Sequence, residues 1–134
     1  MNARKADKTD KAWRSVCPIA RTLELVGDKW SLLLIRDMRF GKRTYGELLD
    51  SPEGIPTNIL ADRLKRLEEA GLAVRSEYQD RPVRYAYTLT EKGQDLGNVL
   101  LALKRWGEAN IPGSRALRQP AAPSRRKVSV SGTK

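Results

Sequence analysis

At 134 residues, with 26 Lys and Arg against 16 Asp and Glu and a formal charge of +10, the chain has room for one domain and a bias toward a polyanionic partner. With no histidine and a single cysteine, Cys17, there is no His-based triad, no His general base, no Cys/His zinc site and no intrachain disulfide, so the expectation is a protein that is not an enzyme and holds no metal or other cofactor. No apolar run approaches the roughly 20 residues of a membrane helix, and residues 1–14 lack the apolar core of a secretory signal, which predicts a cytoplasmic protein with no membrane contact.

The charge is uneven. Residues 1–15 carry +3 and residues 114–134 carry +6, which leaves only +1 for 16–113. Both ends are polar and without apolar periodicity, and the second mixes Pro120, Pro123, Ser124, Arg125, Arg126 and Lys127. They read as a flexible basic arm over 1–15 and a disordered basic tail over 114–134. Such ends either add salt-sensitive, sequence-blind affinity for phosphates or are simply solvated.

Within 16–113, Pro18 suits the first turn of a helix, and Ile19, Leu23 and Val26 share one face until Gly27 ends it. Asp28 can cap a second helix, whose apolar face is Trp30, Leu33, Leu34 and Met38 and which Gly41 breaks. Thr44, with Glu47 at the capping-box spacing, starts a short third helix in which Tyr45, Leu48 and Leu49 face inward. After the turn around Pro52 and Gly54, a fourth helix is predicted over 56–70, with Leu60, Leu64 and Leu67 as its stripe and Gly71 as its stop.

Past Gly71 the period drops to two. Leu72, Val74 and Ser76 alternate with Ala73, Arg75 and Glu77, and later Val83, Tyr85, Tyr87 and Leu89 alternate with Arg84, Ala86 and Thr88, so a hairpin is predicted with its tip at Gln79, Asp80, Arg81 and Pro82. Thr90 then caps a last helix, 91 to about 110, carrying Leu96, Val99, Leu100, Leu103 and Trp106 at helical spacing and lacking a partner within a minimal domain. The fold class is α+β and mostly helical: a winged helix-turn-helix with extra N- and C-terminal dimerisation helices.

In this order, Cys17-Pro18, Gly27-Asp28-Lys29-Trp30, Glu47-Leu48-Leu49, the run from Gly54 to Leu60, Arg63-Leu64, Leu67-Glu68, Gly71-Leu72 and the run from Tyr85 to Thr90 with Gly93 resemble the HxlR-type family of bacterial regulators, related in architecture to MarR-type proteins. The resemblance covers 16–113. It implies a transcription regulator that binds double-stranded operator DNA as a homodimer, with Ile19 and Leu23 of the first helix and Leu96, Val99, Leu100, Leu103 and Trp106 of the last at the interface. Two recognition helices would meet successive major grooves, at half-sites roughly 34 to 36 Å apart. Repression and activation are not distinguished, and a small-molecule effector is left open.

The fourth helix then supplies the readers. Thr57, Asn58, Ala61 and Asp62 face the bases, with helix capping as the alternative for Thr57 and Asn58, and Asp62 equally orients Lys65 or Arg66. Arg63, at the edge of the leucine stripe, grips a phosphate or pairs with an acidic neighbour, while Lys65 and Arg66 are phosphate ligands or solvated surface. Thr44 and Tyr45 lie near the DNA backbone unless Tyr45 is core, and Arg81 and Arg84 place the hairpin tip at a minor groove unless it is an ordinary turn.

Cys17 stands next to a helix N-terminus, where the dipole favours thiolate; it is either a redox or electrophile sensor, as the resemblance implies, or a small buried apolar residue. The competing readings are a sequence-blind architectural protein carried by its basic ends and a protein-interaction module that has lost its DNA face.

Overall fold

A computed structural model of the chain describes residues 12–117, in two compact units that divide after Leu100. Residues 1–11 and 118–134, most of the predicted arm and tail, lie outside the described residues. The elements are α1 (Pro18–Val26), α2 (Ser31–Arg39), α3 (Tyr45–Leu49), α4 (Thr57–Glu69), β1 (Ala73–Asp80), β2 (Val83–Leu89), α5 (Glu91–Gln94) and α6 (Gly97–Asn110). This is the winged helix-turn-helix order expected from the periodicities.

Local chemistry sets each boundary. Cys17 is the extended N-cap of α1 and Pro18 its first helical residue. The Asp28 carboxylate accepts from the Trp30 and Ser31 backbone N–H groups at 2.9 and 3.1 Å and from the Ser31 hydroxyl at 2.5 Å. Asp28 thus caps α2 as expected, although the residue at the N-cap position itself is Trp30. At α3 the reciprocal capping box is complete: Thr44 Oγ1 accepts from the Glu47 N–H while Glu47 accepts from Thr44 N–H. Gly54, at φ +74°, makes the left-handed turn that precedes α4, and Gly71, at φ +75°, the one that leaves it.

Leu60, Leu64 and Leu67 are sealed against Val26, Leu34, Ile35, Met38, Leu48 and Ile55. Burying each large aliphatic side chain contributes about 1.5–3 kcal/mol, so α4 has a single stable rotation about its axis. The hairpin pairs Ala73 with Leu89, Arg75 with Tyr87 and Glu77 with Tyr85, then shifts register between Glu77 and Gln79. Only its base enters the core, through Leu72, Ala73 and Ala86, whereas Val74 and Val83 are exposed. A bridge between Thr44 and Ala86, with Tyr87 N–H donating to Arg43 O at 2.8 Å, fastens the start of α3 to the hairpin.

The single last helix expected over 91–110 is instead two, α5 and α6, separated at Asp95 and Leu96. Gly93 lies so close to the Leu72 carbonyl that a Cβ there would approach within 2.1 Å, and Thr90 Oγ1 donates to Gly71 O at 2.7 Å, so α5 is pinned to the strand entry. Arg39 donates to the carbonyl and the side chain of Gln94 at 3.0 and 2.8 Å, and its guanidinium lies against Gly97. The break lets Leu96 and Leu100, both half-buried, pack against the core of their own chain.

Candidate nucleic-acid interface

With the leucines of α4 inward, Thr57, Asn58, Ala61, Asp62, Lys65 and Arg66 face outward and are exposed. The capping alternative for Thr57 and Asn58 is removed, because Pro56 is the N-cap and α4 has no side-chain capping bond. Among the described residues no ion pair or hydrogen bond engages the side chains of Thr57, Asn58 or Lys65, and the Thr57 carbonyl alone is taken, by Tyr45.

The charged residues beside them are committed differently. Arg63 donates from Nε to Asp28 at 2.8 Å and from a terminal nitrogen to Asp62, so its guanidinium is paired rather than presented to a phosphate. Asp62 also faces Arg66 Nε at 3.6 Å, one turn along the helix. This resolves Asp62 toward orienting its arginine neighbours. Burial would raise the Asp28 carboxyl, but hydrogen bonds from Ser31, Arg63 and the Trp30 and Ser31 N–H groups outweigh it and hold the pKa at about 2. Asp28 is therefore ionised throughout the physiological range and links the entry of α2 to the middle of α4.

A second ion pair fixes the loop between α3 and α4. Arg36 donates two bonds to Glu53, at 2.9 and 2.8 Å, and two to Asp37 Oδ1 at 3.0 and 2.9 Å. The Arg36 hydrogen bond, assisted by Ser51 and opposed by burial, holds Glu53 at about 2. Lys42 Nζ donates to Asp50 O at 2.8 Å in the same loop. These residues were missed in sequence because their partners are far apart along the chain; the available signal was Asp37, a carboxylate on the apolar face of α2 that is now buried.

Tyr45 does not face inward as its helical spacing suggested. It is 37% exposed, and its hydroxyl donates to Thr57 O at 2.7 Å, joining the first residues of α3 and α4. Thr44, half-buried, lies beside it. On the hairpin, Arg81 and Arg84 are exposed on either side of Pro82 and have no ion pair among the described residues. Arg75 is instead stacked 4.3 Å over the Tyr85 ring and faces Glu68 at 3.9 Å. Burial pushes the Tyr87 phenol above its ordinary range, so it stays a neutral hydroxyl.

The remaining predicted residues lie away from this face in role. Cys17 is exposed in the single chain, and its N–H donates to Ser15 Oγ at 3.0 Å. Ile19 and Leu23 are 71% and 59% exposed. In the second unit, Leu103 and Trp106 are 53% and 62% exposed, and Leu101, which the heptad-like spacing did not single out, is exposed with them. Val99 is half-buried.

Three comparisons bear on this arrangement. The family model described as HxlR-like helix-turn-helix matches residues 25–115. An uncharacterized HTH-type transcriptional regulator of Mycobacterium tuberculosis is 43% identical over 94 residues, which are 70% of this chain and 59% of the relative, so the chain spans less than two thirds of that relative's length. Among solved structures, the redox regulator HypR in its oxidized form superposes with a TM-score of 0.64 at 35% identity, covering 70% of this chain and 97% of HypR. The reduced form of the transcriptional regulator YodB from B. subtilis gives 0.61 at 30% identity, covering 75% and 99%.

Proposed function

This chain belongs to the HxlR-like helix-turn-helix family, and from that membership we propose that it is a DNA-binding transcription regulator that reads an inverted-repeat operator as a homodimer and acts by binding alone, without catalysis. The observation that carries the reading is the division of α4: its leucines are sealed, while the side chains of Thr57, Asn58 and Lys65 stand unpaired, among the described residues, on the opposite face. Hydrogen-bonding side chains on the first turn of such a helix reach base edges in a major groove, and an exposed lysine further along serves a phosphate. Arg81 and Arg84, exposed at the hairpin tip, suit an adjacent minor groove or its phosphates. An architectural or DNA-silent role accounts less well for polar readers held in place by two ion pairs.

The test is selection of bound sequences from a random duplex pool by the full chain at near-physiological salt. An enriched inverted repeat with half-sites one helical turn apart is expected; enrichment of no sequence overturns the reading.

A thiol response through Cys17 belongs to the same proposal. HypR is a redox regulator, YodB has been solved both in a reduced form and after diamide treatment, and Cys17 is exposed at the head of α1. Its one cysteine per chain requires an intersubunit disulfide or a small-thiol adduct. Diamide is expected to change operator affinity in the wild type and not in Cys17→Ser; modification of Cys17 with unchanged affinity removes the switch.

A further inference from the structure

A cleft of about 370 Å³ opens between the start of α3 and the hairpin. All four tyrosines of the chain, Tyr45, Tyr78, Tyr85 and Tyr87, line it, and Arg84 is the one charged side chain among the lining residues. Its volume lies within the range of sites that hold small ligands, roughly 300–1,000 Å³. Its walls are held in place beforehand: Tyr45 is anchored on Thr57 O, Arg75 stacks on Tyr85, and the Thr44 to Ala86 bridge joins the two sides.

Gly46 lies in the wall contributed by α3. It is the second residue of α3 and is not among the positive-φ glycines. A Cβ there would meet nothing within 4 Å among the described residues, so a larger side chain at this position has room.

We propose that this cleft is a binding site for a planar aromatic anion, with its ring against the tyrosine faces and its charged group on the Arg84 guanidinium. Offset or edge contacts between rings favour an aromatic ligand, and one cation without an ion pair favours one negative group. A duplex backbone would call for a row of cations, and the cleft has one. Because Tyr45 spans from the cleft to the first residue of α4, an occupant bears directly on the start of the reading helix; this consequence rests on the proposed function, while the site does not.

The probe is 2-naphthoate, with neutral 2-naphthylmethanol as its uncharged counterpart, titrated calorimetrically into the full chain without DNA. Saturable binding of one 2-naphthoate per chain is expected, with weaker binding of the alcohol. Arg84→Ala should weaken the anion about tenfold and leave the alcohol unchanged. Gly46→Leu, which fills the cleft, should abolish both at an unchanged Tm. Absence of saturable binding overturns the site, as does binding indifferent to both variants. If Arg84→Ala lowers duplex affinity while wild type takes up no 2-naphthoate, the cleft belongs to the duplex and the proposal is overturned. A chain that binds 2-naphthoate yet enriches no operator would refute the proposed function and leave the site standing.

Discussion

Arg63 sits at the border of the leucine stripe, where a guanidinium can turn outward to a phosphate or inward to a carboxylate. It turns inward because Asp28, 35 residues earlier, arrives 2.8 Å from its Nε with the pair largely sheltered from water. Arg36 makes the same kind of choice with Glu53 and Asp37. The Glu53 pair has a measurable pH signature. Its folded pKa of about 2 lies below the ordinary 4.5, so its contribution is complete above pH 4.5 and is lost as pH falls toward 2. After allowance for its partial exposure this amounts to about 1 kcal/mol. Urea unfolding at pH 5 and pH 2.5 should therefore show wild type losing about 1 kcal/mol more than Glu53→Gln across that interval; equal losses would mean that the pair does not anchor the loop.

At the scale of elements, α4 and the hairpin differ in how they are held. The helix is locked by three buried leucines and two ion-pair systems, whereas the hairpin is buried only at its base and extends exposed beyond Ala86. A rigid reader beside an exposed basic tip predicts separable effects. Arg81→Ala should weaken binding to operator and to random duplex alike and should lower the slope of log affinity against log salt by about one unit. An unchanged slope would take the hairpin out of the DNA contact. The break between α5 and α6 is also an element-scale outcome: a continuous helix through Gly93 and Leu96 satisfies the apolar spacing, but the contact of Gly93 with Leu72 and the packing of Leu96 and Leu100 favour two shorter ones.

At the scale of the molecule, each of the two units leaves apolar surface uncovered, Val16, Ile19 and Leu23 in one and Leu101, Leu103 and Trp106 in the other. Exposed apolar side chains of this kind are what the proposed homodimer would cover with a second copy. The proposed homodimer predicts that Leu103→Asp/Trp106→Asp sediments as a monomer at concentrations where wild type sediments as a dimer, with operator affinity falling steeply because paired half-sites need paired readers. A double variant that remains dimeric would move the interface elsewhere.

The sequence by itself determined the order of elements, the capping box at Thr44 and Glu47, the inward stripe of α4 and hence the outward position of Thr57 and Asn58. These follow from interactions among residues a few positions apart, whose period and caps can be read along the chain. Only the tertiary structure decided which charges were already paired, that Tyr45 reaches Thr57, that Leu96 and Leu100 belong to their own core, and that four tyrosines meet around one arginine. Those outcomes depend on contacts between distant segments, and a guanidinium or a phenol has the same local pattern whether it meets a carboxylate, a carbonyl or water. Its partner is chosen by packing, which brings 28 to 63, 36 to 53 and 45 to 57.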